Sequence, residues 1–268
     1  MAGEQVLQDA AAFREKGYVR LPNLLSAADL AHLQNVFRRE QAAWRSVLDE
    51  AIEAGHKSPG WFDIPGILET DDVFLKFLCH ERLVAVAQRV IGDDVCVTDV
   101  RARTVLGLSS QQDSMHTACG KSYTGGFHHD GGEIGFADHP TLCADAKLFV
   151  AVFDQDVDIG TTSVIPGTAR IGEGGWGESP GNSERWAHGR GGDGAHGVGR
   201  LPDELSQVEG QEPFVAKAGE SMLMDLRCWH TALPNKTDHD REGFIIQFAP
   251  FRRKQEGLTQ AGGRRLFE

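Results

Sequence analysis

The chain is 268 residues long, 40% of them hydrophobic and 25% charged, with a formal net charge of -12. That length suits one large domain with a core of its own, and that composition excludes wholesale disorder. The acidic excess argues against a nucleic-acid partner, because phosphate binding needs clustered Lys and Arg.

Residues 4 to 16 carry Val6, Leu7, Ala10, Ala11 and Phe13 among polar neighbours, the pattern of a short amphipathic helix ending at Gly17. Tyr18-Val19-Arg20-Leu21 alternates like a strand and stops at Pro22. Ser26, with Asp29 three residues on, reads as the capped start of a helix running to about Ala54, with Leu30, Leu33, Val36 and Phe37 as its core stripe. Trp61 to Gly66 reads as a loop, and Thr70 to Ile91 as one or two helices closed by Gly92.

The period then changes. Val95 to Val105, Lys147 to Phe153, Thr162 to Ile165, Phe214 to Lys217, Ser221 to Asp225 and Gly243 to Phe248 are β-rich. A helical part over about 1–92 followed by antiparallel strands over about 93–252 predicts one α+β domain spanning 1–268, built on a two-sheet jelly roll. Residues 172–200 are dense in glycine and hold Trp176, Trp186, His188 and His196 without a hydrophobic period, which fits a lid over a substrate.

Cys79, Cys96, Cys119, Cys143 and Cys228 show no C-x-x-C pair and no zinc-ribbon spacing, so they read as reduced thiols of a cytoplasmic protein. The start of the chain lacks a leader pattern, and no apolar run reaches the length of a membrane span, so a soluble protein without a membrane partner is expected.

The chemistry centres on Phe127-His128-His129-Asp130-Gly131-Gly132. In an extended segment His128 and Asp130 face the same side and can share a metal, while His129 points the other way. Alone, the pair reads rather as a surface loop pair or a structural hydrogen bond than as a metal site. His230, which follows a strand and precedes the Pro234-Asn235 turn, is the candidate third ligand. Two imidazoles and one carboxylate on one face leave the opposite positions open, as non-haem Fe(II) needs when it binds a cosubstrate and O2 together. Eleven residues beyond His230 comes Arg241, whose planar guanidinium suits the distal carboxylate of a keto acid. His116 and His139 have no partner spacing, Trp229 reads as core, and Arg227 reads equally as a salt-bridged surface residue.

These stretches, with the Val164-Ile165-Pro166-Gly167-Thr168 run, the Trp229 to Asn235 segment and the opening from Phe13 to Leu25, resemble the phytanoyl-CoA dioxygenase (PhyH-like) family. The resemblance implies a double-stranded β-helix of cupin-like form, with N-terminal helices packed on one sheet. It implies Fe(II), 2-oxoglutarate and O2 as cofactors, His128, Asp130 and His230 as iron ligands, and Arg241 as the clamp for the C5 carboxylate of 2-oxoglutarate. Phe149 falls where many members place a Trp beside the cosubstrate. Asp130 favours oxygenation, since relatives that halogenate replace this carboxylate with a small residue.

The chain departs from the family pattern at Ala169, where members often carry His, and at Ala232, where a hydroxyl often contacts 2-oxoglutarate. Another donor must therefore help Arg241, and Thr104, Lys121, Tyr123 and Thr231 are the candidates. His129, Trp176 and Trp186 are candidate substrate contacts.

The expected activity is oxidation, by hydroxylation in the first instance, of a C–H bond in a small organic metabolite, with release of succinate and CO2. Desaturation, epoxidation or cyclisation by the same site are alternatives, as are a cupin-like metal enzyme without keto acid and a non-catalytic ligand-binding relative. A basic patch of Arg101, Arg103 and Lys121 would offset the net acidity towards a polyanionic substrate such as an acyl-CoA. A monomer or homodimer is expected.

Overall fold

The computed structural model describes residues 2–22, 24–55, 61–92, 94–107, 145–169 and 210–251, with the backbone of 264–265. Helix α1 (Ala2–Lys16) buries Ala10 and Phe13. It ends at Gly17, whose φ of 82° suits glycine and whose N–H donates to Phe13 O at 2.7 Å. Strand β1 (Tyr18–Leu21) follows at once. Ser26 caps α2 (Ala27–Glu53): its Oγ accepts from Asp29 N at 3.1 Å and donates to the Asp29 carboxylate at 2.6 Å. Leu33, Val36, Phe37 and Leu48 form the buried stripe of α2.

Two side-chain caps divide the expected helical run at 70–91. The Asp71 carboxylate accepts from Val73 N at 2.9 Å to start α3 (Asp72–Leu78), and His80 Nδ1 accepts from Arg82 N at 3.2 Å to start α4 (Glu81–Ile91). Arg82 then ties α4 to α1, donating from Nε and Nη2 to the Asp9 carboxylate at 2.8 and 3.1 Å.

The loop expected from Trp61 contains a strand, β2 (Trp61–Ile64), paired antiparallel with β3 (Val95–Val105). Trp61 to Ile64 lie next to Gly66, whose φ of 63° marks a turn, so the sequence around them reads as a loop. The ladder offered by β3 decides their conformation. Strands β4 (Ala146–Ala151), β5 (Thr162–Val164), β7 (Ser221–Asp225) and β9 (Arg241–Pro250) lie at the β-rich segments. The strand expected over 214–217 is displaced to β6 (Glu212–Pro213), and Ala216 makes only an isolated bridge with Gln155. Strands β8 (His230–Ala232) and β10 (Arg264–Arg265) complete the set.

The pairings form two antiparallel sheets, one ordered β1-β7-β4-β9-β3-β10 with β2 also on β3, the other β6-β5-β8. Alternation gives the large sheet two apolar faces. Leu148, Val150, Leu223, Phe244, Ile246 and Phe248 join the helix side chains in one cluster, with Phe37 and Phe74 meeting the Phe244 ring edge-on at 5.3 and 5.2 Å. Phe149, Met222, Met224 and Ile245 leave the opposite face and pack with Val164 of the small sheet, Phe214 and Cys228. The helices therefore cover one side of the large sheet and the small sheet covers the other. Among the described residues no helix is long and apolar enough to cross a membrane.

Candidate active site

His230 enters β8 from a tightly held corner. Thr168 Oγ1 accepts from Trp229 N at 2.9 Å and donates to Ile165 O at 2.7 Å, while Ile165 N donates to Trp229 O at 2.8 Å. The 164–168 run thus clamps the residues before the histidine. His230 is 5% exposed and its Nδ1 lies 3.0 Å from Cys228 O. A carbonyl only accepts, so Nδ1 donates in this hydrogen bond and Nε2 is the nitrogen that would coordinate a metal. Burial pushes the neighbouring Cys228 thiol up to about 12, so it stays neutral beside the ring. Ala169 is buried in the same cluster as Cys228, close to Gly17.

Arg241 opens β9 on the face that also carries Gly243 and Ile245. Its side chain is buried, and its Nη1 donates to Gly160 O at 2.6 Å. Gly160 has φ +80°, and a Cβ there would stand 2.5 Å from Leu233 O and 2.7 Å from Asn235 N, so glycine is required by conformation and by contact. The buried Asn235 fixes the turn between the histidine and the arginine. Its Nδ2 donates to His239 O at 2.7 Å, and its Oδ1 accepts from Thr237 N at 3.0 Å and Thr237 Oγ1 at 2.9 Å.

Among the described residues no carboxylate pairs with Arg241. Burial, and then the charge of Arg103, lowers its pKa to about 10, which still leaves it cationic at neutral pH. A buried guanidinium without a counter-ion is costly unless an anionic ligand joins it. The cavity beside it is lined by Arg103, Phe149, Gln155, Thr162 and Phe214, with Val150, Gly243, Phe244 and Ile245 completing the wall. The Phe149 ring also reaches His230, centroid to centroid 6.1 Å and near edge-on, so one aromatic side chain spans the histidine and the arginine pocket.

Other expected contacts fall elsewhere. Thr104 pairs with Glu242 across β3 and β9, on the helix-covered face, and its hydroxyl accepts from Gln41 Nε2 at 3.2 Å. Alternation turns Thr231 away from His230, and its hydroxyl donates to Ala232 O at 3.3 Å. Neither is brought to the Arg241 cavity. Arg227 is buried rather than superficial, with Nε and Nη2 on the Asp225 carboxylate at 2.9 and 2.5 Å. The basic patch is largely neutralised: Arg103 donates to Asp63 at 2.8 and 2.7 Å while stacked 4.1 Å from the Trp61 ring, and Arg101 pairs with Asp99 at 2.7 Å.

His128, His129, Asp130, Lys121, Tyr123, Trp176, Trp186 and the segment 172–200 lie outside the described residues. Two of the three expected iron ligands are among them. Among the described residues no group of three His, Cys, Asp or Glu is placed to hold a metal.

A family model for phytanoyl-CoA dioxygenase (PhyH) matches residues 13–243. The chain belongs to that family. Membership makes this PhyH protein an enzyme of the non-haem iron, 2-oxoglutarate-dependent type, with iron and 2-oxoglutarate as cofactor and cosubstrate and O2 consistent with the class. A sequence search of curated proteins finds no match. Among solved structures, the epimerase SnoN in complex with Fe3+, alpha ketoglutarate and nogalamycin RO aligns with a TM-score of 0.61 at 18% identity, over 99% of this chain and 94% of that one. EctD from S. alaskensis with 2-oxoglutarate and 5-hydroxyectoine aligns with a TM-score of 0.61 at 20% identity, over 91% and 76%. The non-heme monooxygenase ThoJ in its Ni complex aligns with a TM-score of 0.52 at 17% identity, over 90% and 76%. At these identities the PhyH chain shares their fold.

Sequence reasoning missed Gln155 and Thr162 as cavity residues and Gly160 as the backbone partner of Arg241. Each sits in or beside a short segment without a motif. Their importance comes from register and a positive φ, which no spacing announces.

Proposed function

We propose that this PhyH protein hydroxylates a C–H bond of a small organic metabolite, with His128, Asp130 and His230 holding iron and Arg241 holding the C5 carboxylate of 2-oxoglutarate. The observation that carries the reading is Arg241 itself: a buried cation with no acidic partner among the described residues, facing a cavity joined to His230 through Phe149. When bound, the iron couples oxidative decarboxylation of 2-oxoglutarate, yielding succinate and CO2, to oxidation of the substrate. His230, with Nδ1–H tied to Cys228 O, offers Nε2 in a fixed direction. Gly160 O and the Asn235 turn hold Arg241 in place, and Phe149 walls the cavity against water.

The whole chain acts as one domain whose two antiparallel sheets form a double-stranded β-helix. The solved relatives support a small substrate, since SnoN forms a complex with nogalamycin RO and EctD one with 5-hydroxyectoine. A reducing, cytoplasmic setting is in keeping with cysteines that show no C-x-x-C pair and no zinc-ribbon spacing. A second reading is favoured by the fold shared with an epimerase: hydrogen abstraction at the same site followed by an outcome other than hydroxylation, such as desaturation or ring formation.

Anaerobic addition of Fe(II) and 2-oxoglutarate tests the reading. The expected result is the visible charge-transfer band of a chelated keto acid, weakened at low cosubstrate in Arg241→Met, together with succinate release under air that disappears in His230→Ala. A wild-type protein without the band, or an Arg241→Met variant that binds 2-oxoglutarate as tightly, overturns it.

A further inference from the structure

We infer that Thr162 is the second protein group on the distal carboxylate of the keto acid, its hydroxyl donating to the anion that Arg241 holds. The inference rests on the reading of Arg241 given above and adds to it a residue from the other sheet.

The polar groups of the cavity narrow the choice. Gln155 spends its amide inside the protein: Nε2 donates to Glu242 O at 3.1 Å and Oε1 accepts from Thr161 Oγ1 at 3.2 Å. Arg103 spends Nε and Nη2 on Asp63. Thr162 differs, because it is 7% exposed, lines the cavity with Arg241, and its hydroxyl makes no hydrogen bond among the described residues. That hydroxyl is open to the cavity rather than sealed in the core, with a proton to give to an acceptor that enters. The one charge in the cavity without an acidic partner among the described residues is Arg241, so an anion drawn there meets the hydroxyl as a ready donor.

Register explains how a small-sheet residue comes to do this. Thr162 pairs with Ala232 and Val164 with His230 across β5 and β8. Directly opposed residues of an antiparallel pair project from the same face, so Thr162 and Ala232 share the face of His230. Ala232 brings no hydroxyl to that face. Thr162 brings one from the adjacent strand, a cross-strand step away, while its own backbone stays in the sheet with Thr162 O accepting from Phe214 N at 2.7 Å.

The test is an anaerobic titration of the Fe(II)-loaded protein with 2-oxoglutarate and, separately, with pyruvate, which has the keto-acid chelate but no distal carboxylate. Thr162→Val keeps the shape and removes the hydroxyl. It is expected to weaken 2-oxoglutarate by about tenfold, to leave pyruvate unchanged, and to leave the thermal midpoint of the ligand-free protein within the error of wild type. Thr162→Ser should bind 2-oxoglutarate like wild type, and Ala232→Ser placed in the Thr162→Val background should recover most of the loss. If Arg241→Met weakens 2-oxoglutarate and Thr162→Val does not, Thr162 is only a strand residue and the inference falls while the function stands. If Thr162→Val weakens pyruvate equally, its effect is on the metal site and the inference also falls. If Arg241→Met binds 2-oxoglutarate as wild type does, the functional reading fails and takes this inference with it.

Discussion

Consecutive residues at the start of β9 leave the strand on opposite faces and meet opposite electrostatic problems. Arg241 faces the cavity with no carboxylate paired to it among the described residues. Glu242 faces the helices, where burial holds its carboxyl above the ordinary range, with Asp240 adding to the rise and Gln41 and Arg38 opposing it. A raised carboxyl in the folded state means that folding binds a proton there more readily than the unfolded chain does. That contribution to stability is present at acidic pH and is lost as pH rises from about 4.5 through the folded value. Glu242→Gln removes the dependence. Urea unfolding should show the variant more stable than wild type at about pH 8 and the difference shrinking towards about pH 4. A variant less stable than wild type at the higher pH would mean that Gln41 and Arg38 outweigh burial.

At the scale of elements, Phe244 shows how one strand is anchored between layers. Its ring meets Phe37 of α2 and Phe74 of α3 edge-on, so truncation empties a junction of three elements at once. Phe244→Ala should cost about 3–5 kcal/mol, read as a lower denaturant midpoint with an unchanged slope. A loss below about 1 kcal/mol would show that the helices close over the gap. The same elements show what local sequence can specify. The cap at Ser26, the stop at Gly17 and the eleven-residue strand β3 were legible because each signal, a capping side chain, a positive φ or a sustained alternation, acts within its own segment. Strand β2 was not legible, since Trp61 to Ile64 are extended by pairing with a strand more than thirty residues later. The strand expected over 214–217 became β6 at 212–213 for a related reason: β5 offers its ladder to Glu212 and Pro213 and leaves Ala216 a single bridge.

Across the whole molecule the candidate site is divided between layers, with His230 on the small sheet and Arg241 on the large one. Spacing in the sequence could nominate both, because imidazole, carboxylate and guanidinium are scarce and chemically distinctive. It could not choose among threonines, whose roles depend on which face they leave and what already accepts from them. Hence Thr104 and Thr231 were nominated and Thr162 was not. The division also has a thermodynamic consequence for the ligands proposed here. With the proposed roles of His230 and Arg241, 2-oxoglutarate would bind only when both sheets are in place, so its binding free energy would add to the stability of the two-sheet assembly. At a hundredfold excess over its dissociation constant that is about 2.7 kcal/mol, or a rise of about 5–10 °C in thermal midpoint for a chain of this size. Differential scanning fluorimetry under anaerobic conditions should show a modest rise with Fe(II), a further rise of that order with 2-oxoglutarate, and little further rise with pyruvate at equal concentration. Arg241→Met should keep the increment from iron and lose the one from 2-oxoglutarate. If the second increment survives in Arg241→Met, the cosubstrate does not bridge the sheets through this arginine.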